Sequence, residues 1–355
     1  MPTARHADRL RVVTLLALAV LLVGFSMACS GDDDSPDAGD RGASNESDEA
    51  TGGADSSEDA DPAPTATEVE AITLTVEDPD LGELTFDALA AGDPSAASEG
   101  RLVLLLHGFP ETAESYREIL LPLAEAGYYA VAPSQRGYSP GARPDGVEPY
   151  GILNLVGDVV AMADTLGADR FHVAGHDWGG AVAWVTAAVH RDRVQTLTAL
   201  STPHPDPFSD GIADPNHEQS QASSYMAILR EPGSEDQLLA AGAESFIAGI
   251  GLPADKAATY AEVLDTPEAL GAALNWYRAT PIPTEARIGP VGVPTLYMWG
   301  TEDIAFTRST AEATVDYVDA PYTFVEIPGG SHWLPEEEPD RIATAMLDHL
   351  ATHGG

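Results

Sequence analysis

The apolar positions divide the chain into alternating strands and helices, interrupted once. Residues 68–76 and 82–89 alternate apolar and polar side chains, which predicts two antiparallel strands joined near Asp78-Pro79-Asp80. Leu102–Leu106 is a continuous apolar run, the pattern of a strand buried on both faces. Residues 113–126 follow a helical period, 128–132 read as the next strand, and 153–166 as the next helix. A short buried strand at 171–174 precedes an apolar helix at 181–190, and 196–200 form a further strand. This order predicts an α/β fold: a mostly parallel central sheet with helices on both faces.

The strand signal stops between residues 204 and 288, where helical stretches at 234–248 and 266–279 are broken by prolines. It resumes with strands at 295–300 and 322–327, a helix near 309–317 and a last helix at 340–351. The pattern predicts one sheet domain in two parts, 67–203 and 289–355, split by a helical cap at 204–288 inserted after a sheet strand.

The N-terminus follows a different grammar. Arg5, Arg9 and Arg11 precede an apolar run at residues 12–25, and then Ser26-Met27-Ala28-Cys29. A basic start, a short apolar stretch and a small residue before the cut predict a signal peptide over residues 1–28. The sole cysteine, Cys29, stands where a bacterial lipobox places its lipidated residue, although Ser26 occupies the usual leucine position. Residues 29–66 hold Asp, Ser, Gly, Glu, Ala and Pro in excess and predict an acidic, disordered tether. The expectation is an exported protein, held to a bacterial membrane through a lipid on Cys29.

Charge narrows the partners. The 355 residues include 57 acidic and 17 basic side chains, a net charge of −40. The excess is not confined to the tether, since residues from 71 onward hold 42 acidic and 13 basic side chains, with Lys256 the only lysine in the chain. Like-charge repulsion disfavours nucleic acid as a partner. A single cysteine also excludes an intramolecular disulfide.

Three residues carry the candidate chemistry. Gly175-His176-Asp177-Trp178-Gly179-Gly180 joins the predicted buried strand at 171–174 to the apolar helix. A strand that passes through such a glycine-flanked turn into a helix is a nucleophile elbow. The turn residue is Asp177, neither serine nor cysteine. A carboxylate nucleophile attacks saturated carbon and remains as an ester on the enzyme. Asp303 follows the strand ending in Trp299-Gly300, with Glu302 beside it as a rival, and His332 follows the last strand within Gly329-Gly330-Ser331-His332-Trp333. All three follow carboxyl ends of strands, where α/β sheets place their sites, in the chain order nucleophile, acid, base.

With these motifs the chain resembles the epoxide hydrolases of the α/β-hydrolase fold, from about residue 68 to the C-terminus. His107-Gly108-Phe109-Pro110-Glu111 resembles the family's oxyanion loop, and Arg136-Gly137-Tyr138 its loop after the next strand. In the cap, Asn275-Trp276-Tyr277-Arg278 resembles the segment bearing one of two tyrosines; Ser224-Tyr225-Met226, followed by Glu231-Pro232-Gly233, resembles the other. The resemblance implies hydrolysis of an epoxide to a vicinal diol through an ester on Asp177. Tyr225 and Tyr277 protonate the leaving oxygen, and His332, oriented by Asp303, activates water. It favours Asp303 over Glu302, implies backbone N–H groups of Phe109 and Trp178 as the oxyanion hole and a cis bond before Pro110, and requires no metal or organic cofactor. Trp178, Phe109, Trp333 and Met226 are expected to line an apolar pocket. Haloalkane dehalogenation shares the aspartate and is the rival chemistry, but position 109 is Phe where those enzymes usually carry Asn. A third reading, a surface lipoprotein that binds a ligand without catalysis, gives the nucleophile and base no task.

Overall fold

The computed structural model describes residues 68–354. The expected signal peptide, Cys29 and the acidic tether lie outside the described residues. Eight strands form one sheet in the order β1-β2-β4-β3-β5-β6-β7-β8. They are β1 (Glu70–Asp78), β2 (Gly82–Ala91), β3 (Leu102–Leu106), β4 (Tyr129–Pro133), β5 (Phe171–His176), β6 (Val194–Leu200), β7 (Thr295–Gly300) and β8 (Tyr322–Ile327). β2 pairs antiparallel with both β1 and β4, and the remaining pairings are parallel.

The strand period decides which layer each residue joins. Leu102, Leu104 and Leu106 point into the core on one face, while Val103 and Leu105 point into the core on the other. The first face is covered by α2 (Ile152–Thr165) and α3 (Asp177–Val189) through residues such as Val156 and Val182. The second is covered by α1 (Arg117–Glu125) and, at the far end of the chain, α13 (Pro339–His353), through Ile119, Leu123, Ile342 and Met346. β3 and β5 are buried along their whole length because both faces are covered, which is why neither shows polar alternation.

Between β6 and β7 the chain forms the cap helices α4 (Pro205–Ala213), α5 (Glu218–Ala222), α6 (Met226–Leu229), α7 (Ser234–Leu238), α8 (Ala243–Gly249), α9 (Ala254–Leu264) and α10 (Pro267–Ala279). The single helix expected at 234–248 is divided. Gly242 adopts φ 90°, a left-handed conformation that ends one helical segment before the next begins. Prolines open both α4 and α10, where their missing N–H costs no helical bond. The remaining helices, α11 (Arg308–Ala313) and α12 (Leu334–Glu337), follow β7 and β8.

One buried ion cluster ties the N-terminal hairpin to this core. Arg136 is 1% exposed; it donates from Nε and Nη2 to the two carboxylate oxygens of Asp158 at 2.8 and 2.6 Å. Its Nη2 also donates to Asp78 at the end of β1, at 2.6 Å, and Nη1 to the Pro149 carbonyl at 3.0 Å. Removing one partner of a buried pair leaves uncompensated charge, which costs more than the pair contributes. Arg136→Met should therefore lower unfolding free energy by about 3–5 kcal/mol. Urea denaturation of the purified domain measures it, and an unchanged midpoint would contradict this role.

Candidate active site

The parallel pairing of β3, β5, β6, β7 and β8 brings their carboxyl ends to one edge of the sheet. At the end of β5 the chain turns sharply into α3 at Asp177, which holds φ 48°. A non-glycine residue in that region is strained and must be held by its surroundings. Thr202 Oγ1 donates to the Asp177 carbonyl at 2.8 Å, and Trp184 Nε1 anchors the Thr202 carbonyl at 3.0 Å. Close approach explains the glycines. A Cβ at Gly179 would lie 2.0 Å from the Leu106 carbonyl oxygen, and one at Gly108 would lie 2.4 Å from the Asp177 Cβ. The loop after β3 can therefore close over the carboxylate, and the Phe109 N–H donates to Asp177 Oδ1 at 2.9 Å. The Phe109–Pro110 bond in that loop is cis. The Trp178 N–H, at the second position of α3, lies among the helix-start donors that have no partner within the helix.

His332 faces the same carboxylate. Its Nε2 lies 3.6 Å from Asp177 Oδ2, and its Nδ1 donates to Asp303 Oδ2 at 3.1 Å. The Asp303 side chain is fully buried, and its Oδ1 accepts the N–H groups of Ala305 and Phe306 at 2.8 and 2.9 Å. Glu302 is exposed, so of the two neighbouring acids Asp303 is the one that meets the ring. Burial disfavours the imidazolium, but the Asp303 and Asp177 carboxylates outweigh it and hold the His332 pKa well above its ordinary value. Burial likewise works against the Asp177 carboxylate. The His332 ring, His176 and the Phe109 N–H reverse that, and its pKa lies below the usual carboxylate value.

The cap supplies the opposite wall. Asp177, Trp178, Tyr225, Met226, Tyr277 and Phe306 line one cavity of about 480 Å³. Tyr277, on α10, packs edge-on against Trp178 and Phe109, with ring centres 5.0 and 5.4 Å apart. Burial, and then the nearby Asp177 carboxylate, push both tyrosine phenols far above their ordinary pKa, so both are neutral donors. Two expected pocket residues sit elsewhere. Phe109 does not line the cavity: its ring lies behind Tyr277, and its contribution here is its N–H. Trp333 is not among the lining residues either; its ring packs edge-on against His332.

Other residues hold these groups without displaying a motif. Two donors meet the His332 carbonyl oxygen, His176 Nε2 and Ser201 Oγ, each at 2.8 Å. Ser201 adopts φ 62°, and its own carbonyl accepts the Tyr297 hydroxyl at 2.9 Å. His176 Nδ1 lies 2.7 Å from Glu111 Oε1, while Glu111 Oε2 accepts the Gly108 N–H at 2.7 Å. Glu111 was visible in the oxyanion-loop motif, but Ser201 has no sequence signal, because its task depends on a backbone carbonyl 131 residues away. His107 supports its loop: Nδ1 donates to the Gly108 carbonyl, and Nε2 accepts the Gln135 N–H. Burial pushes the His107 pKa down to about 4, consistent with that neutral tautomer. No group of three or more potential metal-ligating side chains gathers among the described residues.

A family model of the alpha/beta hydrolase fold matches residues 101–339. Epoxide hydrolase A of Mycobacterium tuberculosis is 33% identical, over 76% of this chain and 95% of its own length. The AB hydrolase superfamily protein YfhM of Bacillus subtilis is 32% identical, over 75% of this chain and 94% of its own. Among solved structures, an epoxide hydrolase from metagenomes of hot environments superposes with a TM-score of 0.69 at 28% identity, covering 79% of this chain and 99% of that one.

The charge balance at the site is directly testable. Asp177→Asn removes one of the two carboxylates that favour the imidazolium, so the His332 pKa should fall in the variant. Titration of the ring by NMR measures it; the same titration curve in both proteins would show that Asp177 does not set the protonation of His332.

Proposed function

This chain belongs to the epoxide hydrolase family of the α/β-hydrolase fold, and on that premise we propose that it opens an epoxide through an ester on Asp177 and hydrolyses that ester to a vicinal diol. The observation that carries the reading is one apolar-walled cavity into which a carboxylate nucleophile and two buried phenols all face.

In the first step an Asp177 oxygen attacks an epoxide carbon. The carbon–oxygen bond of the ring breaks, its electron pair goes to the oxygen, and a phenol of Tyr225 or Tyr277 gives that oxygen a proton. Asp177 becomes a neutral ester. The imidazolium of His332 then loses one of the two carboxylates that stabilised it, and its proton restores the phenol. The ring is left neutral at the moment a base is needed. In the second step His332 takes a proton from water, and the resulting hydroxide attacks the Asp177 carboxyl carbon. The Phe109 N–H, already 2.9 Å from Oδ1, is placed to hold the oxyanion, with the Trp178 N–H as the second donor. When the ester bond breaks, the diol oxygen takes up the remaining proton of the tetrahedral carbon's hydroxyl. The Asp177 carboxylate then again faces the His332 imidazolium, and the proton count closes. Asp303 keeps the ring aligned through its 3.1 Å contact.

Dehalogenation by the same aspartate releases halide, which needs no proton, so the two phenols would have no task. The apolar walls favour epoxides on hydrophobic substituents.

Wild type, Asp177→Ala and His332→Gln should be compared on an aryl epoxide and on a chloroalkane. Diol formation in wild type is expected to vanish in Asp177→Ala, and His332→Gln should accumulate the ester, seen as added substrate mass on the intact protein. Halide release without diol formation would overturn the reading in favour of dehalogenation. Turnover that survives Asp177→Ala would remove both.

For location, we propose that Cys29 is lipidated and holds the enzyme outside the cytoplasm, which the basic start, apolar run and single cysteine support. Cell fractionation tests it: the full-length protein should pellet with membranes, and Cys29→Ser should release it. Recovery of the unaltered protein in the cytosolic fraction would refute it.

A further inference from the structure

Arg230 stands at the end of α6, five residues after Tyr225. Its guanidinium turns toward the other tyrosine. Nε donates to the main-chain carbonyl of Tyr277 at 2.9 Å, and Nη1 donates to the Ile282 carbonyl at 2.8 Å. The third nitrogen, Nη2, is buried and has no hydrogen-bond partner among the described residues. In a chain with 57 acidic residues, no carboxylate lies within ion-pair distance of this cation among the described residues. The nearby Arg278 is paired with Glu235, so carboxylates are available to arginines in the same cap.

An arginine at this place serves two physical ends. The Tyr277 carbonyl belongs to the last turn of α10, where carbonyls lack helical partners and a cation is favoured. One side chain thus joins the segment bearing Tyr225 to the helix bearing Tyr277, and through Ile282 it also holds a wall of the cavity. The second end is electrostatic. The Asp177 and Asp303 carboxylates both disfavour negative charge on the Tyr225 phenol. A cation without its own counter-ion acts the other way, and its effect on Tyr225 has that sign. A carboxylate beside Arg230 would cancel this contribution.

We propose that Arg230 is a positioning residue of the ring-opening step: it fixes the two proton-donating tyrosines relative to one another, and its unpaired charge favours the transfer of a proton from them. This inference rests on the proposed role of Tyr225 and Tyr277. It concerns the first half-reaction only, because ester hydrolysis uses His332, Asp303 and the Phe109 N–H.

The test separates the two half-reactions by single-turnover kinetics on an aryl epoxide, following formation and decay of the Asp177 ester by rapid quench and intact mass. Arg230→Gln keeps N–H donors without charge, and Arg230→Lys keeps charge without the planar fork. Arg230→Gln should slow ester formation about tenfold and leave ester decay unchanged, and Arg230→Lys should restore most of the loss. Equal losses in Gln and Lys would remove the charge from the proposal, and an equal fall of both half-reactions would reduce Arg230 to a structural cap; either result overturns it. Tyr277→Phe is the control for the underlying reading. If Tyr277→Phe slows ester formation and Arg230→Gln does not, this inference alone fails. If Tyr277→Phe has no effect, the tyrosine role itself fails.

Discussion

A charged carboxylate held away from water is the constraint around which this structure is arranged. Asp177 is 6% exposed, at a turn whose backbone lies in the left-handed region. Burial alone would raise its pKa and work against the ionised form that the proposed nucleophile requires. Three neighbours prevent that: the His332 ring, His176 and the Phe109 N–H. His176 directly precedes Asp177, whereas the Phe109 N–H and the His332 ring arrive from the loops after β3 and β8. The absence of a Cβ at Gly108 and Gly179 lets the loop after β3 come close enough for the Phe109 N–H to reach the carboxylate.

Under the proposed mechanism the same charges serve two opposite tasks in sequence. While Asp177 is ionised, it and Asp303 keep His332 protonated. An imidazolium stabilises the nucleophile but cannot act as a base. In the proposed mechanism, conversion of Asp177 to an ester removes one of the two carboxylates that favour the imidazolium. The cap phenols face the converse difficulty, since the carboxylates that favour the imidazolium make a phenol a weaker acid. Arg230, placed in the cap without a counter-ion, acts against that cost. The design thus separates charge by layer: carboxylates and histidine at the sheet edge, neutral donors and a cation in the cap.

The architecture was legible because burial of both sheet faces and the helical period leave strong marks on a sequence. Leu102–Leu106 and the strands around residues 295–300 and 322–327 could be read directly, as could the long helices at the ends. The division of the 234–248 stretch was not, because helix-forming residues flank Gly242 on both sides and only its left-handed backbone interrupts them. Asp177, Asp303 and His332 could be nominated from local context, since each follows a strand and carries a recognisable neighbourhood. The residue types of Phe109 and Trp333 suit an apolar pocket, yet neither is among the residues lining the cavity, because side-chain direction in a loop does not follow from residue type.

The sequence by itself determined the α/β class, the elbow with a carboxylate at its turn, and the tyrosine-bearing segments of the cap, all of which are encoded over a few adjacent residues. Only the tertiary structure decided which groups meet. That Asp303 and not Glu302 reaches His332, that Ser201 and His176 hold the carbonyl of His332, and that Arg230 bonds the helix of Tyr277 depend on contacts between residues far apart in the chain. The physical reason is that periodicity and turn chemistry act locally. A hydrogen bond to a main-chain carbonyl identifies no particular side chain at its acceptor, so it leaves no trace in the sequence until the fold brings donor and acceptor together.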